Sequence, residues 1–398
     1  MNKPLYLSTL TPLRGIAAML VIIFHSGQML APLADTAVTH LIANGWLWVD
    51  FFFVLSGFVL SHVYGSKFQQ GVTWRQYKAY LKARFARVYP LHLVTLFVSV
   101  AITLAIHAKA TAISSVFGEL LNVRAIPACL LLVQSLHLYV TAPLNTPSWS
   151  LSTEWWVYVL FPLIVGPFFR LKGVGKVIAF TGVIGLFLVL MYYVAPHYAN
   201  RFLVKPGELG PNTINVTADF GYLRCLAGFL LGTLTCELYR SRWLITALAY
   251  DFTFVTVFGL TLLALHLNAH ELLIVALFPV LILAAAYNNG QVKRALETQP
   301  LQRLGDWSFS MYMIHMLCIH TGWLLILSDT PNLFQGFDTF FGHQAIYSLG
   351  EAWLICLTVV AVTLLLASLT YRYVEVPARN YLNQQTKTRL SQPIEVVS

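Results

Sequence analysis

Apolar residues fill this chain in blocks of spanning length, and short polar connectors between them carry most of the basic charge. Crossing the hydrocarbon of a bilayer takes about 20 residues of helix. By that measure the runs 11–30, 46–64, 89–107, 149–169, 177–195, 219–237, 244–265, 271–287, 307–327 and 347–371 predict ten transmembrane helices. The stretch 126–140 (I-P-A-C-L-L-L-V-Q-S-L-H-L-Y-V) is too short for another and carries Gln134 and His137. It predicts a re-entrant or interfacial element. The expected fold class is therefore all-α and polytopic, with no soluble domain. A single membrane-embedded domain is expected over 1–382, followed by a polar cytosolic tail over 383–398.

Charge fixes the orientation. With the amino terminus in the cytosol, 20 of the 25 Lys and Arg residues fall on the inner side, as the positive-inside rule requires. Treating 126–140 as an eleventh span would move Arg170, Lys172 and Lys176 outside and invert everything after them. Both termini are expected to be cytosolic, with an uncleaved first helix. Composition agrees: 58% of the 398 residues are hydrophobic and 10% charged, against about 45–50% and about 25% in soluble domains. The net charge of +9 is spread among apolar spans with no nucleic-acid motif, so nucleic acid is not an expected partner. Cys129, Cys225, Cys236, Cys318 and Cys356 all lie in apolar segments, without disulfide or zinc spacing, and no metal is expected. Trp46, Trp48, Trp149, Trp155 and Trp156 sit near predicted outer ends, as an aromatic belt would. No internal repeat suggests the inverted halves of a transporter.

Against that background the ionisable residues inside spans stand out. Arg14 and His25 share the first span, eleven residues apart; that returns to within about 20° of one helical face, about 16 Å further along. His25, Asp50 and Glu154 each fall four or five residues from an outer end, so the three converge at one depth. A histidine beside a carboxylate suits a general base. Packing would equally explain a lone histidine, and capping would explain either acid. On the inner side, six basic residues lie between Lys67 and Arg87, with Arg84 and Arg87 three apart on one helix face. Paired guanidiniums suit a phosphate or pyrophosphate, although the same charge serves topology and anionic lipid headgroups. His315, in G-D-W-S-F-S-M-Y-M-I-H, either lines a substrate passage or bonds between helices, and Asp306 reads as a helix cap.

Taken in order, L-R-G-I-A-A…F-H, V-D-F-F-F-V-L-S-G-F-V-L, R-F-A-R-V-Y-P, P-S-W-S-L-S-T-E-W-W-V-Y-V-L-F-P, S-F-S-M-Y-M-I-H and the closing Y-R-Y-V-E-V-P-A-R resemble the acyltransferase-3 family across residues 5–382. Members are integral-membrane acyltransferases that modify exported glycans, lipids and antibiotics, usually with acetyl groups. The resemblance implies His25 as the catalytic histidine and Arg14 as its support. It implies Arg84 and Arg87 as the R-x-x-R pair associated with the acyl-CoA donor, with Lys82 and Tyr89 beside them. Asp50, Ser148, Trp149, Ser150 and Glu154 belong to motifs with less settled roles. Two features depart from the pattern: Thr-Pro replaces the usual acid before L-R-G, and no esterase-like extension follows, so one acyl-transfer domain is expected.

The expectation is then an O-acyltransferase of the bacterial inner membrane. It would take acyl-CoA, most simply acetyl-CoA used as a substrate, from the cytosol to a hydroxyl of a glycan or lipid acceptor. His25, oriented by Asp50 or Glu154, would accept the hydroxyl proton; Arg14 or donors near 148–150 would stabilise the oxyanion. Direct transfer and a covalent acyl-enzyme both remain open. A proton-coupled transporter or flippase would use the same buried residues as a relay.

Overall fold

The computed structural model describes residues 6–30, 32–110, 115–139, 141–198, 210–329 and 347–391. Among them there is no strand, and the ordered structure is helical. Twelve helices carry the architecture: α1 (Leu10–Met29), α2 (Trp48–Phe68), α3 (Trp74–Lys109), α4 (Ser148–Arg170), α5 (Val174–Val189), α6 (Gly221–Ser241), α7 (Asp251–His266), α8 (Glu271–Tyr287), α9 (Gln299–Asp306), α10 (Ser308–Asp329), α11 (Leu349–Thr370) and α12 (Val376–Ser391). Each of the ten apolar runs overlaps one of them, but the run 244–265 is broken, with Ile245–Leu248 a separate short helix ahead of α7. Six helical segments among the described residues are long and apolar enough to cross a membrane: those containing α1, α2, α3, α4, α5 and α11. Helices α7 and α8 are apolar but shorter.

Contacts between connectors sort the helix ends into two sets. At one end Ser8 bonds Glu297, Arg170 bonds the carbonyl of Gln69, and Lys176 pairs with Glu237. At the other, the His40 amide bonds the carbonyl of His266, and Trp323 bonds the carbonyl of Met29. The first is the basic end, gathering Lys67, Arg170, Lys172, Lys176, Arg240, Arg242, Lys293 and Arg294.

Helix α3 spans 36 residues, about 54 Å at 1.5 Å per residue, nearly twice the hydrocarbon thickness. Thr73 starts it through a capping box with Gln76. Its first half is basic and its second apolar, so Arg84 and Arg87 sit at the junction. Glycine sets the two tightest helix contacts. A Cβ on Gly232 would lie 1.9 Å from the Val54 carbonyl, and one on Gly57 2.0 Å from that of Phe229, so α2 and α6 meet backbone to backbone. One on Gly305 would lie 2.1 Å from the Thr11 carbonyl, which docks α9 beside Arg14. At Tyr371–Glu375 the chain widens into a π-turn just before Pro377. Proline has no N–H and its ring crowds the preceding turn, and a π-turn relieves both. It joins α11 to α12, which runs through the boundary expected at 382.

Residues 126–139 hold a five-residue helix, Ile126–Leu130, and then turns. Side chains from α3 and α4 satisfy its carbonyls: Tyr89 and His92 donate to Leu130 and Cys129, while Ser152 and Trp156 donate to Leu132. Two of the five tryptophans expected in an aromatic belt turn into the bundle. Trp48 and Trp149 are buried, and Trp46, Trp155 and Trp156 are half-buried. The exposed tryptophans are Trp74 and Trp243, near the basic end. Large rings at α2 and α4 positions that face other helices fill the bundle before they reach lipid.

Candidate active site

Two adjoining cavities open between α1, α2, α3 and α10. The outer one, at the basic end, has a volume of about 620 Å3 and is lined by Arg14, His62, Tyr64, Arg84, Arg87, Asp306, Arg379 and Asn383 among others. The inner one, about 160 Å3, is lined by Phe52, Ser56, Ser150, Glu154, Tyr158, Ser308, Phe309 and Tyr312 among others. Arg14, Leu55, Val59, Arg84 and Arg87 line both. Three guanidiniums therefore stand at the neck between a polar vestibule and a more apolar chamber.

Helix phase explains the grouping. Arg84 and Arg87 share a face of α3, and Arg14 enters one turn inside α1 beside the α9 contact. Arg87 pairs with Glu375, which also accepts from Ser310 at 3.0 Å. Arg84 lies over the Tyr64 ring at 5.7 Å. The Nε atoms of Arg14 and Arg84 are buried without a partner among the described residues. Buried N–H groups without partners are costly, and an anionic ligand at the neck would satisfy them.

His25 lies on α1 toward the far end, half-buried. Its Nδ1 is 3.1 Å from the Val21 carbonyl and 3.1 Å from Nε2 of His315, which is fully buried. His315 Nδ1 is 2.7 Å from the Tyr312 carbonyl. Carbonyl oxygens only accept, so His315 Nδ1 carries hydrogen and a neutral His315 offers the lone pair of Nε2. His25 Nδ1 then carries hydrogen, shared between Val21 and His315, and His25 Nε2 is left bare. That nitrogen is a proton acceptor with a fixed tautomer. Neither imidazole lines either of these two cavities. Tyr312 lines the inner chamber with its ring 5.8 Å from that of His315, and its hydroxyl is held by Ser150 at 2.8 Å.

The carboxylates are placed differently from expectation. Asp50 is fully buried and gripped by Arg224, with Nε–Oδ1 2.9 Å and Nη2–Oδ2 2.6 Å. Arg224 also donates to Asn215 and the Val216 carbonyl, under the rings of Trp46 and Trp149. A buried arginine needs a counter-ion, and Asp50 is committed to that role rather than to orienting His25. Glu154 lines the inner chamber but does not bond His25; the side chain that bonds it is His315. Lys82 and Tyr89 line neither cavity, since Lys82 is on another face of α3 and Tyr89 bonds Leu130. Of the 148–150 set, only Ser150 reaches the chamber: Ser148 receives the Gln134 amide, and Trp149 packs on Phe53 and Gly221. Asp306 closes α9 and lines the vestibule. Among the described residues no cluster of three His, Cys, Asp or Glu could hold a metal, and all five cysteines are free.

Residues 10–372 match the model of the acyltransferase-3 family, described as an acyltransferase domain. The chain is 30% identical to "Acyltransferase MdmB" of Streptomyces mycarofaciens over 95% of its own length and 93% of that protein. The chain belongs to the acyltransferase-3 family. An 84-residue stretch is 42% identical to "Protein 2 in picA locus" of Rhizobium radiobacter, covering 21% of this chain and 39% of that one. No solved structure matches. Glu375, Arg224 and Tyr312 are the site residues that sequence reasoning missed in this acyltransferase. Glu375 and Tyr312 lay inside the quoted motifs Y-R-Y-V-E-V-P-A-R and S-F-S-M-Y-M-I-H without being singled out, and Arg224 was a cation inside an apolar run.

Proposed function

We propose that this protein moves an acyl group from acyl-CoA to an acceptor hydroxyl, with His25 Nε2 as general base. The observation that carries it is the His25–His315 pair, whose hydrogen-bond order leaves Nε2 bare one ring beyond a chamber with an arginine neck. The donor's phosphates rest on Arg14, Arg84 and Arg87, and its arm enters the chamber toward Tyr312. Transfer needs the Tyr312 ring to swing off Ser150 so that thioester and imidazole meet. Nε2 takes the hydroxyl proton as oxygen attacks the thioester carbonyl; the C–S bond breaks and the leaving thiolate recovers the proton. Acetyl is the simplest acyl group for a chamber of about 160 Å3.

In the same reading the ten helical runs cross the bacterial inner membrane, with the basic end and both termini in the cytosol. The acceptor is an exported glycan or lipid approaching from the far end, where His25 is half-buried rather than sealed. The test is CoA release by the purified protein supplied with acetyl-CoA. His25→Ala is expected to lower it by about 10²–10⁴-fold, the usual share of a general base. Unchanged release by a folded His25→Ala variant would remove the imidazole from the reaction.

A further inference from the structure

The vestibule holds more cationic capacity than the R-x-x-R pair accounts for. Along the last helical segment Tyr371, Glu375, Arg379 and Asn383 recur every four residues, a single stripe on one helix face. Glu375 lies at the neck, on Arg87 and Ser310. Tyr371, Arg379 and Asn383 all line the vestibule, opposite Tyr6, His62 and Tyr64. Arg379 forms no ion pair or hydrogen bond among the described residues and is half-buried. It stands one helical turn beyond Glu375, about 6 Å further from the neck, and lies past the region that matches the family model.

We propose that Arg379, assisted by the Asn383 amide, binds the 3′-phosphate monoester of the acyl-CoA nucleotide. This rests on the donor reading above. A CoA thioester carries two phosphate positions: the diphosphate next to the pantetheine arm and the monoester at the far side of the ribose. With the arm in the inner chamber, the diphosphate meets Arg14, Arg84 and Arg87 at the neck, where two buried Nε–H groups lack partners. The monoester then falls outward, on the mouth side, where Arg379 is the guanidinium on offer. A monoester dianion is the group that a planar guanidinium holds in bidentate fashion. Glu375 offsets one of the three guanidiniums at the neck by pairing with Arg87, and Arg379 stands outside that pairing on the mouth side, where its charge is left for the monoester. The carboxyl-terminal helix thereby becomes part of the donor site and selects the complete coenzyme over its dephosphorylated form.

The experiment compares acetyl-CoA with acetyl-dephospho-CoA as donors for the full-length protein in a maltoside detergent, which contributes no phosphate headgroup. The wild type is expected to show a KM at least tenfold lower for acetyl-CoA. Arg379→Gln should raise the KM for acetyl-CoA to that of the dephospho form, leave the dephospho KM unchanged and keep kcat for both. Arg379→Lys should restore part of the preference, and Asn383→Ala should lose a smaller part. An Arg379→Gln variant that keeps the wild-type ratio overturns the proposal, as does one in which both KM values rise together. An Arg379→Gln effect present only after anionic phospholipid is added back would assign the arginine to a lipid headgroup and likewise overturn it. A wild type that consumes neither donor sinks the donor reading itself, a result distinct from any of these.

Discussion

At the residue scale the chemistry depends on which hydrogen sits where. The Tyr312 carbonyl fixes His315, and His315 fixes His25. In the proposed mechanism His315 acts through its neighbour, so its removal should register in kcat and not in donor binding. His315→Ala is expected to lower kcat by about 10²-fold with the acetyl-CoA KM unchanged. His315→Gln, whose side-chain oxygen can accept from His25 Nδ1, should recover part of that loss; steady-state kinetics on the three proteins reads both effects. Asp50 should behave in the opposite way. Asp50→Asn leaves Arg224 buried without its counter-charge, a change that costs about 3–5 kcal/mol, while the bonds around His25 are untouched. Thermal unfolding in detergent should show the loss, and the fraction that stays folded should turn over near the wild-type rate. The sequence singled out both residues by the same rule, that ionisable groups inside spans are expensive. It could not pair them, because Asp50–Arg224 and His25–His315 join positions 174 and 290 residues apart.

Helices were legible where one property changes along the chain. The basic-to-apolar switch along α3 sets Arg84 and Arg87 on one face where the helix turns apolar, whereas the Thr73 capping box that starts it shows only in the structure. Faces were less legible, because a helix apolar all round does not say which side meets lipid. That is why Trp48 and Trp149 turn inward, and why Lys82 and Tyr89 leave the cavity that their neighbours line. Close approach is decided by glycine, and it gives a contrast between two substitutions. Gly232→Ala would place a methyl 1.9 Å from the Val54 carbonyl, backbone that cannot yield without parting α2 from α6. Gly182→Ala, in α5, meets nothing within 4 Å and gains helix propensity of up to about 1 kcal/mol. Expression yield and melting temperature should fall sharply for the first and hold or rise for the second.

Over the whole molecule, charge and connectivity make the same division. The contacts Ser8–Glu297, Arg170–Gln69 and Lys176–Glu237 lie at the end that holds most of the Lys and Arg, and His40–His266 and Trp323–Met29 lie at the other. Such a gradient orients a membrane protein as it inserts, and the vestibule proposed for the donor opens at the basic end. A cytosolic nucleotide thioester therefore needs that end to face the cytosol, which makes sidedness a condition of the mechanism. Four native cysteines are buried and Cys318 is half-buried, so a membrane-impermeant maleimide should find little background. A cysteine placed at Lys172, between α4 and α5, should label only in inverted vesicles. One placed at Asn268, between α7 and α8, should label only in intact spheroplasts. The reverse pattern would put the arginine neck on the side where acyl-CoA is absent, and acyl transfer from a cytosolic pool could not begin there.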